Sequence, residues 1–343
     1  MTVPQTTRPS RRGCLVPLVG LALVPLSFFA IVVILTPWSS WSARGYGLAI
    51  ISINAALFMT RPRRFAWGGA GLLVVVLGLR ILTAARGESM TMTCDGGGGR
   101  WLARVIDERD AAIWGARIAF ASGHFRDPDT PAVVPALIRS YKELAEEEGD
   151  VPSPVMPTYL GLESAGATDV LSFDTVASKR GALIFLHGFG GSFTLPCWQL
   201  ARAVAEVGFV TRCPSLGPRG DWWSPRGETI VRDTIRLLHA EGIDHIVLVG
   251  LSNGGVGAAT LAPRMRGTIH GLVLISGAAP AGPPGVPVLV LQGARDAMMP
   301  ASGARSYATA HEGTYVELKG GHFALLLERE RATGALTSWL AKH

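Results

Sequence analysis

Paired metal-binding motifs are missing from these 343 residues: C-x-x-C and H-E-x-x-H do not occur, and there are four cysteines and eight histidines in all. A zinc centre, structural or catalytic, is therefore without ligands at the spacing it needs. G-x-G-x-x-G is also absent, which argues against a dinucleotide-binding turn. Charge is scarce, at 17% of residues. The net charge of +6 comes with arginines that flank apolar runs, and no basic stripe interleaved with aromatics follows, so a nucleic-acid surface is excluded. No internal repeat is visible.

Apolar residues are abundant instead, at 48%, and the excess is gathered in roughly the first quarter of the chain. Residues 1–13 form a basic tail carrying Arg8, Arg11 and Arg12. From Gly13 to Ala43 no residue is charged, and Cys14 to Thr36 is long enough to cross a hydrocarbon core of roughly 30 Å as a helix. The run is too long for a signal peptide and has no A-x-A exit. Gly45 to Thr60 and Phe65 to about Ala85 read as a helical hairpin, joined by a turn holding Arg61, Arg63 and Arg64. The expectation is thus a membrane segment over 14–86 with three transmembrane helices, multi-pass in the cell membrane. With both arginine clusters inside, everything after Arg86 lies outside the cytoplasm. In that oxidising compartment Cys197 and Cys213 either pair or remain two small buried residues.

Residues 87–100, with Gly96 to Gly99, read as a flexible linker. Helical spacing over Trp101 to Phe120 and Val133 to Glu148 makes 101–157 a helical segment. From 158 to 343 short apolar strands alternate with helices, the pattern of a mostly parallel α/β sheet flanked by helices. The strands are Ala182 to Leu186, Phe209 to Arg212, His245 to Val249, Gly271 to Ile275, Val286 to Leu291 and Thr314 to Leu318.

Chemistry gathers where these strands end. Gly250-Leu-Ser252-Asn253-Gly254 fits G-x-S-x-G, which chance alone would supply about 0.3 times in so glycine-rich a chain. Its place between a strand and a helix is what counts, because a sharp turn there lifts the Ser252 hydroxyl above the sheet edge. His187-Gly-Phe189-Gly190-Gly191 follows the strand Ala182 to Leu186, where a loop can aim amide donors at a developing oxyanion. Phe189 and Asn253 are the expected donors, with Gly190 the alternative to Phe189. Asp296 follows the strand Val286 to Leu291 and can hold an imidazole in one tautomer. His322 alone among the histidines occupies the loop after the last strand, placed to act as base toward Ser252. Trp222 and Trp223, in the loop from Pro214 to Pro225, either line a substrate pocket or divide into one packed ring and one ring at a membrane surface.

Carrying an oxyanion loop, nucleophile elbow, acid loop and histidine loop in that order, residues 158–343 resemble the α/β-hydrolase superfamily, serine esterases and lipases in particular. The resemblance implies an α/β-hydrolase fold and cleavage of a carboxylic ester through a covalent acyl-enzyme, without cofactor. Amide or peptide hydrolysis by the same triad, or a non-catalytic binding protein on a hydrolase fold, are the alternatives. The implied partners are a small or lipid-like ester and the bilayer. Only Ala278 to Gly285 follow Gly277 before the next strand, so an internal lid has no room, and the helices of 101–157 are expected to cover the site instead.

Overall fold

A computed structural model describes residues 20–57, 62–84, 87–94, 101–123, 125–161, 168–174, 176 and 179–343. Arg8, Arg11, Arg12, Arg61, Arg86 and Gly96 to Gly99, used above for topology and for the linker, lie outside them. The chain divides into two compact units, Met1–Thr83 and Ala84–His343.

Among the described residues, the first unit contains three helices, α1 (Val24–Leu35), α2 (Trp41–Ala56) and α3 (Pro62–Thr83). Small residues let them approach closely: a Cβ on Gly47 would lie 3.2 Å from the Ala30 carbonyl, and one on Gly69 3.0 Å from that of Ala49. Among the described residues, one helix is long and apolar enough to cross a membrane, Arg64–Thr83. α1 is apolar but extends over 12 residues, and α2 over 16 with Arg44 in its first turn. The expectation of three spans and a multi-pass chain is therefore not supported; residues 14–19 of the first expected span are not described.

The second unit is built on an eight-stranded sheet. Its strands are β1 (Met90–Cys94), β2 (Asp169–Phe173), β3 (Gly181–Leu186), β4 (Phe209–Pro214), β5 (Ile246–Leu251), β6 (Gly271–Ile275), β7 (Val288–Gly293) and β8 (Thr314–Leu318). They lie in the order β1-β2-β4-β3-β5-β6-β7-β8. β2 pairs antiparallel with both neighbours, and every pair from β4 to β8 is parallel. The six expected strands are present with shifts of one or two residues. β1 and β2 are additions, and β1 corrects the linker boundary, since 90–94 belong to the sheet and precede the four glycines.

Alternation along each strand sends side chains to two cores. Leu183, Phe185, Val247, Val249, Leu289 and Leu291 face one side, against Trp198 and Leu200 of α7 (Thr194–Ala205) and Leu336 and Trp339 of α11 (Arg329–Leu340). Ile184, Leu248 and Val290 face the other, against α8 (Pro225–Ala240), α9 (Asn253–Leu261) and α10 (Ala301–Ala310). The helical segment supplies α4 (Glu108–Ala121), α5 (Thr130–Glu148) and the short α6 (Val155–Tyr159). Tyr141 and Leu144 of α5 belong to the first core. α5 thus flanks the sheet, its apolar stripe packing in the core beside α7. The Cys197–Cys213 disulfide ties α7 to β4.

Candidate active site

β5 leads straight into the serine. Ser252 takes φ 55° and ψ −118°, a left-handed conformation that side chains other than glycine adopt at a cost, and its N–H donates to the Ile275 carbonyl at 2.9 Å. The turn is tight enough that a Cβ on Gly250 would collide with the Gly254 carbonyl, and one on Gly254 with the Leu186 carbonyl. The two glycines of the motif are steric requirements of this turn.

His322 Nε2 lies 3.0 Å from Ser252 Oγ, and His322 Nδ1 lies 2.9 Å from Asp296 Oδ2. The structure thus brings together three residues that follow β5, β7 and β8. Asp296 Oδ1 accepts the N–H groups of Met298 and Met299 at 2.9 and 2.8 Å, and Oδ2 also accepts from Gln292 Nε2 at 2.8 Å. Burial alone would raise the Asp296 carboxyl, but the bond and charge of His322 and the two methionine amides together hold it below the ordinary carboxylate range. It stays ionised facing an imidazole whose other nitrogen faces the hydroxyl, an arrangement suited to moving a proton between serine and histidine.

The loop after β3 comes alongside. A Cβ on Gly188 would stand 3.6 Å from Ser252 Oγ. Gly190 donates its N–H to the Pro218 carbonyl at 2.8 Å, so of the two alternatives it is occupied elsewhere. Asn253 is the first residue of α9, where amides lack an intrahelical acceptor, and its side chain donates to the Arg219 carbonyl at 2.9 Å. His187 braces the loop from below: Nδ1 meets the Gly188 carbonyl at 2.8 Å and Nε2 accepts the Leu216 N–H at 3.0 Å. Burial lowers its pKa to about 4, leaving it neutral in this role.

Of the two readings given for Trp222, the structure shows the packed ring and not the pocket wall. Trp222 is fully buried, donates from Nε1 to the His187 carbonyl at 2.9 Å, and meets the His187 ring edge-on at 5.1 Å. It is a strut behind the loop and not a pocket wall, because the absence of a side chain at Gly257 opens space for its ring. Trp223 is 39% exposed.

Residues that sequence reasoning missed hold the histidine loop from outside the sheet. Asp127 Oδ2 accepts the His322 N–H at 2.6 Å and its Oδ1 the Asp129 N–H at 2.9 Å. Asp129 in turn accepts the Gly321 N–H at 2.5 Å and an Arg295 N–H at 2.6 Å, bridging the histidine and acid loops. Glu108 is clamped similarly: buried, it accepts the Thr194 N–H at 2.8 Å at the start of α7, with Tyr141 and Ser153 as further donors. A carboxylate at a helix amino-terminus is favourable, yet burial pushes the Glu108 carboxyl up despite those bonds. Isolated acids in a turn-rich stretch carry no signature of such distant partners. Among the described residues no cluster of metal-ligating side chains occurs.

The sheet order, with helices on both faces, is that of an α/β-hydrolase fold. No protein-family model matches the chain, and no curated protein matches it significantly. Solved structures resemble it. An α/β serine hydrolase without a lid from Xanthomonas campestris is 20% identical, with a TM-score of 0.45 over 52% of this chain and 91% of that one. An enol-lactonase from Burkholderia xenovorans is 16% identical, with a TM-score of 0.43 over 51% and 97%. An esterase from Exiguobacterium antarcticum is 14% identical, with a TM-score of 0.41 over 51% and 96%. Similarity at this level carries no substrate across to this chain.

Proposed function

We propose that this protein is a serine hydrolase that cleaves carboxylic esters, with Ser252 as nucleophile, His322 as general base and Asp296 as its orienting acid. The single observation that supports it is the unbroken chain from Ser252 Oγ to His322 Nε2 at 3.0 Å and from His322 Nδ1 to Asp296 Oδ2 at 2.9 Å, with a strained serine at its head. Ser252 Oγ attacks the ester carbonyl while His322 takes its proton, and the amides of Phe189 and Asn253 receive the oxyanion. His322 then protonates the departing alcohol. A water, deprotonated by the same imidazole, releases the acid from the acyl-enzyme and restores the serine. Asp296 holds the Nδ1–H tautomer and offsets the charge His322 gains at each step.

The chain is tethered to the cell membrane. The support is Arg64–Thr83, a helix of 20 residues with mean hydropathy 2.0, together with exposed apolar side chains on α1 and α3 such as Phe28, Leu35, Trp67, Val74 and Leu82. Arginines at the amino end of that helix favour an orientation with residues 84–343 outside the cytoplasm, and the Cys197–Cys213 disulfide suits an oxidising compartment. A fluorophosphonate probe tests the chemistry: wild type labels and turns over a 4-nitrophenyl ester, and Ser252→Ala does neither while keeping its circular dichroism. Retained turnover in the variant relocates the nucleophile.

A further inference from the structure

Beside the triad stands a group of phenylalanines that the core does not absorb. Phe323, next to His322, has its ring 5.6 Å from the imidazole. Phe120 at the end of α4 meets Phe323 at 5.7 Å, and Phe125 meets Phe323 at 6.3 Å and Phe189 of the oxyanion loop at 6.1 Å. Phe189 is 48% exposed and the other three rings are half-buried. A cluster of large apolar rings left partly open, spanning from the oxyanion loop to the histidine loop, is an apolar entrance to the site.

Phe120 also lines a groove of about 570 Å³ between α4 and α5, together with Arg117, Thr130, Pro131, Val134, Pro135 and Ile138. α5 carries two apolar stripes. Val133, Ala136, Tyr141 and Leu144 are buried, whereas Pro131, Val134 and Ile138 follow at helical spacing on the groove side. One end of the groove is fixed at the site, because Thr130 follows Asp129, whose carboxylate accepts the Gly321 N–H. From Thr130 to Ile138 the helix advances about 12 Å.

Resting on the esterase reading above, we propose that this groove binds an aliphatic chain of the ester, so that the preferred substrates are esters carrying a chain of medium length. Phe120, Val134 and Ile138 are then specificity-determining residues supplied by the segment ahead of the hydrolase core. Nothing polar on the α5 side of the groove other than the Thr130 hydroxyl competes for the occupant, and that hydroxyl already donates to the Asp127 carbonyl at 2.6 Å.

The test uses the full chain in lipid nanodiscs and two ester series. In the first, 4-nitrophenyl esters lengthen the acyl chain from acetate to octanoate. In the second, acetate esters lengthen the alcohol. In one of them kcat/KM should rise by about fourfold per methylene, equivalent to ~0.8 kcal/mol each, and the series that rises names the side of the bond the groove serves. Ile138→Trp, which fills the groove, and Phe120→Ala, which opens its mouth, should each lower the long-to-short ratio in that series at least tenfold. The ratio is taken on one preparation, so incomplete folding cancels. Flat series, or a ratio untouched by both variants, overturn the groove assignment while leaving the hydrolase standing. Absence of any ester turnover together with absence of fluorophosphonate labelling overturns the hydrolase reading itself.

Discussion

Asparagine at position 127 separates a histidine loop held by the sheet from one held by the helical segment. Asp127 is 9% exposed and spends its two oxygens on the His322 and Asp129 N–H groups, at 2.6 and 2.9 Å. Asparagine keeps the shape but turns one of those oxygens into a donor, so one bond is lost and two N–H groups face each other. A hydrogen bond to a charged acceptor contributes about 1.5–3 kcal/mol, and burial leaves little water to replace it. Unit 84–343 should lose about 2 kcal/mol, or roughly 4–8 °C in melting temperature. The larger effect falls on the reaction. Ser252 Oγ and His322 Nε2 stand 3.0 Å apart, and a displacement of about 1 Å in such a pair costs on the order of 10²-fold. For 4-nitrophenyl acetate, kcat should fall by about 10- to 100-fold with KM nearly constant, measured well below both melting temperatures and normalised to active serine by fluorophosphonate titration. A kcat within about twofold of wild type, beside a lowered melting temperature, would show that the clamp serves folding only.

Three further outcomes follow from the same geometry. Asp296→Asn should lower kcat by about 10⁴-fold without unfolding the protein, because the amide favours the wrong imidazole tautomer, and steady-state kinetics with circular dichroism check it. Replacing Cys197 and Cys213 by serine opens a bridge spanning 16 positions and should cost about 3 kcal/mol, seen as a lower urea midpoint that wild type reproduces under reductant. His187, lowered to about 4 by burial, stays neutral in the folded protein while the unfolded chain takes up a proton below about 6.5. Its contribution to stability is therefore present above about pH 6.5 and is lost as pH falls through about 4, by about 3 kcal/mol at most. In His187→Gln, urea titrations between pH 7 and 4 should show that part of the slope gone.

Ser252, Asp296 and His322 were legible because each comes within four residues of the carboxyl end of a strand, and a parallel sheet sends all those ends to one edge. The glycines around Ser252 were legible for a related reason: the collision that forbids a side chain there is local. β1 and β2 were not, since neither Met90–Cys94 nor Asp169–Phe173 holds a long apolar run and both neighbour glycine-rich or polar stretches. Trp222 and Trp223 are adjacent and alike in type. Which one packs depends on the space at Gly227 and Gly257, the second of which lies in another helix.

What the amino-acid order determined alone was the sheet, its two apolar faces and the loops that carry nucleophile, acid and base, all of which follow from short-range periodicity and turn sterics. Only the tertiary structure decided that Asp127 and Asp129 clasp the histidine loop, that α5 lies on the sheet and that an aromatic mouth opens beside the serine. Those features rest on groups up to 195 positions apart, and a carboxylate that accepts a backbone N–H leaves no mark on the sequence of the strand it serves.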